Sequence, residues 1–180
     1  IIVCLFILSL VCLLLFIITE YKVSYPILKL DLFINKNFTF SCCIAFFLFV
    51  CLWSQMFNLP QFLHKTMHYS PLKIGFAMLF LAMPVFLFQY FSPKLQKSLG
   101  SSKLCIIGFL FLFISILLQV FVSKNTSYIY ILLITFSFGL AWYFIWSPSN
   151  VAALSGFPHE HHGLVAGTFV TLQELGGTLG

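Results

Sequence analysis

Six stretches of the chain read as nearly unbroken apolar runs, at about residues 1–19, 38–62, 72–92, 104–122, 127–147 and 163–180. Each complete run is close to the roughly 20 residues that cross about 30 Å of hydrocarbon at about 1.5 Å per residue. The polar connections between them are short, which predicts one compact bundle with no soluble domain inserted. The fold class is therefore all-α, a polytopic transmembrane helix bundle. The run at 1–19 precedes a partial half-bundle over 20–180, whose last helix is cut short.

The runs differ in what interrupts them. The first and fourth are almost uniformly apolar, as expected of helices facing lipid. The second carries Trp53, Ser54, Gln55 and Asn58; the fifth carries Ser137, Gly139, Trp142 and Tyr143, then Ser147-Pro148-Ser149-Asn150. Polar side chains in hydrocarbon normally face a bundle interior or a water-filled cavity. Gln55, Asn58, Trp142, Tyr143 and Asn150 are thus candidates for lining a pathway between the second, fifth and sixth segments. Pro60, Pro84 and Pro148 fall within runs and predict bends, since each removes a backbone donor. Either ordinary packing or a moving helix accounts for them.

The sixth segment has a readable pattern. Gly163, Gly167, Thr171, Glu174 and Thr178 recur on one face; Val165, Phe169, Leu172 and Leu179 gather on the other. Small residues at that spacing permit close helix approach, and Gly75, Gly139, Gly176 and Gly177 join them as candidate packing or bending positions. Glu174, beside Gln173, lies midway along the segment and is the one acid within any run. An intramembrane acid is by default a functional candidate, here for a proton or cation.

Composition agrees with the pattern. Only 7% of residues are charged, 61% are hydrophobic and mean hydropathy is +1.07, against roughly a quarter charged in soluble domains. All nine basic residues are Lys. Lys22, Lys29, Lys36, Lys94, Lys97 and Lys103 follow the first and third segments, whereas Lys65, Lys73 and Lys124 follow the second and fourth. That bias predicts cytoplasmic connections after the first, third and fifth segments. It reports topology rather than a nucleic-acid partner. Cys4, Cys12, Cys42, Cys43, Cys51 and Cys105 lie in or beside apolar runs without metal-site spacing, so they read as small buried hydrophobes.

The connection before the sixth segment holds His159-Glu160-His161-His162. Two His three residues apart can converge on a metal, but no Cys or Asp lies nearby and a solvated loop is the simpler reading. No metal site and no cofactor is expected. There is no HExxH, GxSxG or phosphate-binding glycine loop, and catalysis is not expected.

Three stretches resemble the second half of a major facilitator superfamily carrier of the fourteen-helix drug:proton antiporter branch. "LKLDLFINKNFTF" (28–40) is similar to the link into that branch's ninth helix. "LPQFLHKTMHYSPLKIG" (59–75) is similar to the link from the ninth to the tenth. "ALSGFPHEHHGLVAGTFVTLQELGGTLG" (153–180) is similar to the start of the thirteenth, matching at Pro158, Gly163, Gly167, Gly176, Gly177 and Gly180. The run at 1–19 fits by position as the eighth helix. The chain departs from the family at His68, where Gly is usual, at Lys97-Ser98, where an Asp-Arg pair is common, and at Gln173-Glu174, where Arg-Gln is common.

The resemblance implies a secondary transporter in the cytoplasmic membrane, exporting hydrophobic or amphipathic small molecules against protons. Its two halves would rock about a midplane site. The partners implied are the lipid bilayer, the small-molecule cargo, protons as coupling ion, and an N-terminal half of the same chain. The alternatives are an inactive or structural membrane fragment, and a membrane enzyme using His159–His162.

Overall fold

Helices follow the apolar runs, and their ends are set by local chemistry. A computed structural model describes residues 30–180, with positions 7, 8, 11, 12, 14, 15, 18 and 19, which are helical and exposed. The rest of the first run, with Cys4, and the connection after it, with Lys22 and Lys29, lie outside the described residues. A short 3-10 turn (Leu30–Ile34) leads into α1 (Lys36–Lys65). Then come α2 (Pro71–Gln89), α3 (Ser92–Val120), α4 (Tyr128–Leu154), a second 3-10 turn (His159–His161) and α5 (His162–Leu179). There is no strand among the described residues. Helices α1 to α4 are each long and apolar enough to cross a membrane. The chain is a multi-pass, all-α membrane bundle.

Asn35 caps α1: its Oδ1 accepts from the backbone N–H of Asn37 (3.0 Å) and Phe38 (3.4 Å), two of the four donors a helix start leaves unpaired. The same side chain lies against Gly156, where a Cβ would collide with it, so the start of α1 is tied to the end of α4. Helix α2 opens on Pro71, whose missing N–H is no loss in a first turn. Just before it His68 has φ 54°. That left-handed backbone costs a non-glycine residue about 1–2 kcal/mol and explains the glycine usual there in the family it resembles.

Two boundaries differ from the sequence reading. The connection expected between the third and fourth segments is largely helical, because α3 begins at Ser92 with Pro93 in its first turn and continues through good helix formers such as Lys94, Leu95 and Gln96. Gly100 (φ 76°, ψ 157°) breaks it there. Helix α4 runs past residue 147 to Leu154 with Pro148 inside it. Near that proline, Ser149 Oγ donates to the Ile145 carbonyl at 2.7 Å and Asn150 Nδ2 to the Trp146 carbonyl at 2.9 Å. The proline itself leaves the Phe144 carbonyl without its usual backbone donor. Pro60 and Pro84 likewise stand inside α1 and α2.

Helix α4 is the hub, packed against α3, α2 and α1. Two glycines set the approaches. A Cβ at Gly108 of α3 would lie 2.6 Å from Ile145 Cγ1, and one at Gly139 would overlap the Leu81 carbonyl and sit 3.0 Å from the Pro84 ring. Hydrogen bonds between helices add to the packing: Ser115 Oγ donates to the Ile134 carbonyl (3.1 Å), Ser137 Oγ to the Phe111 carbonyl (3.2 Å) and Tyr143 OH to the Phe88 carbonyl (2.7 Å). Helix α5 packs mainly on α1. Gly176 and Gly180 meet the Phe46 and Val50 carbonyls, and Gly177 meets the Trp53 indole, as small residues allow in membranes.

Candidate functional site

Consecutive antiparallel helices gather the connections at two ends. At one, Ser92 Oγ lies 2.7 Å from Ser147 Oγ, and exposed Lys36, Lys94, Lys97 and Lys103 belong to the elements meeting there. At the other, Tyr128 OH donates to the Lys73 carbonyl (2.7 Å), and the Tyr69 and Tyr128 rings meet edge to face at 5.5 Å. Lys73 Nζ sits 5.4 Å from the Tyr69 ring centre. Amphipathic rings with a lysine suit a membrane–water boundary.

Each end has a polar cleft. One of two clefts at the lysine-rich end, about 390 Å³, is bounded by Gln89, Ser92, Gln96, Trp146, Ser147 and Asn150; the other, about 550 Å³, lies among Asn37, Ser41, Ser102, Cys105, Ser149 and Ser155. Gln96 Nε2 donates to both Ser92 Oγ (3.0 Å) and Ser147 Oγ (3.1 Å), so a neutral triad ties the start of α3 to the end of α4. The cleft at the opposite end, about 210 Å³, lies between Gln55, Asn58 and Phe62 of α1, Gln119 of α3 and Val122 just beyond it. Asn58 is exposed and its Nδ2 bonds back to Ser54, at 2.9 Å to the carbonyl and 3.2 Å to Oγ. Among the described residues, the Nε2 atoms of Gln55 and Gln119 are buried without an acceptor, as are Trp142 Nε1, Trp146 Nε1 and Gln173 Nε2.

The residues expected along one pathway are therefore divided. Gln55 and Asn58 share a cleft with α3, whereas Asn150 lines a cleft at the lysine-rich end with Trp146. Trp142 packs beside Leu52, Leu81 and Phe138. Tyr143 is buried against Phe88 and Phe144 and its hydroxyl bonds to α2, so it braces the scaffold. Gln173 is 3% exposed, while Glu174 on the next position is exposed. The small-residue face of α5 is open: a Cβ at Gly163 or Gly167 would meet nothing within 4 Å, and the same holds for Gly75 of α2. Close approach on α5 falls instead to Gly176, Gly177 and Gly180.

The histidine cluster forms no metal centre among the described residues, where no three His, Cys, Asp or Glu converge. The His159 and His162 rings lie 4.6 Å apart, and His162 Nε2 is 3.0 Å from the Phe157 carbonyl. Both fit a helix-start turn. Sequence reasoning missed Gln89, Gln96, Gln119 and Trp146. Gln119 stood as a lone amide in an apolar run, and Gln96 lay in what read as a connection, so neither showed periodicity to mark it.

Long apolar helices that cross at glycines define a multi-pass membrane bundle. The Major Facilitator Superfamily profile matches residues 1–180, and the chain belongs to that superfamily. It is 28% identical to the riboflavin transporter RibZ of Clostridioides difficile over 176 residues, 96% of this chain and 38% of that protein. It is 26% identical to the multidrug transporter protein MdtP of Bacillus subtilis over 176 residues, 98% of this chain and 32% of that protein. A third relative is the colistin resistance protein EmrB of Acinetobacter baumannii, 23% identical over 155 residues, 86% of this chain and 30% of that protein. The chain spans roughly a third of the length of these curated relatives.

Proposed function

We propose that the protein acts as a secondary active transporter in the cytoplasmic membrane, exporting drugs or other hydrophobic or amphipathic small molecules against protons. The observation that carries this reading is similarity along nearly the whole chain to proteins named for multidrug transport, colistin resistance and riboflavin transport. Neutral clefts at both ends of a half-bundle suit rocking about a central site. The lysine-rich end is cytoplasmic on this reading, and the remainder of a longer polypeptide supplies the other half-bundle. Glu174 is the proton or cation candidate, since its open face leaves room for water or cargo. Gln173, the next residue back, is buried.

The test is an efflux assay on the full-length protein with a panel of dyes, drugs and riboflavin, with and without a protonophore. Protonophore-sensitive export of any panel member is expected. Glu174→Gln keeps shape and hydrogen bonding but cannot ionise; it should cut export about tenfold and flatten its pH dependence. Unchanged export with the parent's pH profile would make Glu174 structural.

A further inference from the structure

We infer that the segment from Tyr90 to Lys103 is a docking surface for the headgroups of anionic phospholipids at the membrane face, whatever cargo the protein carries. Backbone geometry is the first support. Gly100, at φ 76° and ψ 157°, divides α3 into a short helix, Ser92–Leu99, and the spanning helix that follows. A left-handed φ is open to glycine at little cost, so the chain can turn there and leave the short helix as an element of its own.

Packing fixes the depth of that element. Ser92 Oγ and Gln96 Nε2 both reach Ser147 Oγ, at 2.7 and 3.1 Å, and Leu95 packs with Leu104, Tyr143 and Phe144. Ser147 stands about two turns short of Leu154, where α4 ends, roughly 10 Å at about 1.5 Å per residue. Helix α4 is about 40 Å long by the same rise and overshoots a hydrocarbon core of roughly 30 Å. The contact with Ser147 therefore holds the short helix near the level where hydrocarbon gives way to headgroups.

Side-chain chemistry is the third support. With Leu95 and Gln96 turned to the bundle, Lys94, Lys97 and Ser98 are exposed, as is Lys103 just past the break. Tyr90, at 79%, is exposed too, with Phe91 and Leu99, and the Tyr90 and Phe91 rings meet edge to face. Amphipathic rings settle at headgroup level, and an interfacial helix seats its apolar residues at the boundary between headgroups and acyl chains. The segment holds three lysines and no acid. Each lysine near an anionic bilayer surface adds attraction, and its ammonium group offers three donors to phosphate oxygens. Lysines alone would suit water; lysines beside exposed rings, at this depth, suit an anionic headgroup.

The experiment uses purified full-length protein in nanodiscs, with a genetically encoded fluorescent residue in place of Ser98. The probes are brominated phosphatidylglycerol and brominated phosphatidylcholine, each titrated as a quencher. Phosphatidylglycerol is expected to occupy the site with at least about fivefold the affinity of phosphatidylcholine, and added salt should narrow that ratio toward one. Lys94→Gln, Lys97→Gln and Lys103→Gln together should bring it below about twofold. The corresponding Arg changes keep the charge and should keep the preference. Equal quenching by the two lipids in the parent overturns the assignment, as does a preference that neither salt nor the Gln variant reduces. A preference lost equally in the Arg variant overturns it as well. So does weak quenching by both lipids, the result for a segment covered by another part of the protein or standing in water. Should the Gln variant fail to fold, the salt series on the parent decides.

Discussion

Helices α3 and α4 are similar in length, cross the same slab and lie against each other, yet they bury very different shares of themselves. Half of the most apolar window of α4 is buried, against 22% for α3, although the α3 window is the more apolar of the two. In water the order would be reversed, because apolar side chains are driven inward. In a bilayer lipid tails are as apolar as leucine, so hydrophobicity marks lipid contact, while small and polar residues mark packing between helices. Helix α4 earns its central place with Thr135, Ser137, Gly139, Tyr143 and Ser149; α3 contributes Gly108 and Ser115 to the contact and turns Phe109, Phe113 and Leu117 outward.

That contrast can be broken by experiment. The largest effect should follow a charge on the outward face of α3. Phe113→Lys, near mid-span, should lower membrane insertion by about 2.5–3.5 kcal/mol, read as lost full-length protein in a glycosylation-tagged insertion assay. Normal insertion would mean that this face is covered by protein. Next comes the crossing of α2 and α4: Gly139→Val should destabilise by about 1–3 kcal/mol through forced separation, seen as a lower thermal midpoint of the detergent-solubilised protein. The same change at Gly167, which meets nothing among the described residues, should shift the midpoint far less.

A gain of about 1 kcal/mol is expected from His68→Gly, which removes the cost of a left-handed backbone; a fall in the midpoint would show that the imidazole makes a contact worth more than that strain. The smallest effect sharpens the comparison at the level of one bond. Ser115→Ala should cost about 0.6 kcal/mol, the average for hydrogen bonds between membrane helices, whereas Ser98→Ala at an exposed position near the start of α3 should cost nothing measurable by the same melt.

Much of this protein was legible in its residues. Runs of apolar positions fixed how many helices are described and nearly where they lie, since hydrocarbon thickness sets a minimum length. The uniformly apolar 104–122 run agrees with the outward face of α3, whereas the polar interruptions in 127–147 pointed to a pathway and did not single out α4 as the hub. Helix ends were less legible at Ser92 and Leu154, because a proline in a first turn and side-chain bonds to carbonyls near Pro148 act locally and leave no periodic trace.

Partnership is where the tertiary structure decided. Periodicity grouped Gly163, Gly167 and Glu174 on one face of the last helix, but only packing could show that this face stays open while Gly176 and Gly180 seat on α1. Polarity singled out Gln55 and Asn150 alike, yet they line separate clefts at opposite ends. A residue's type fixes what it can contact, and the sequence carries that in full. Which neighbour it meets depends on where rigid helices can approach within a methyl group's width, a property of pairs of helices that no single run of residues contains.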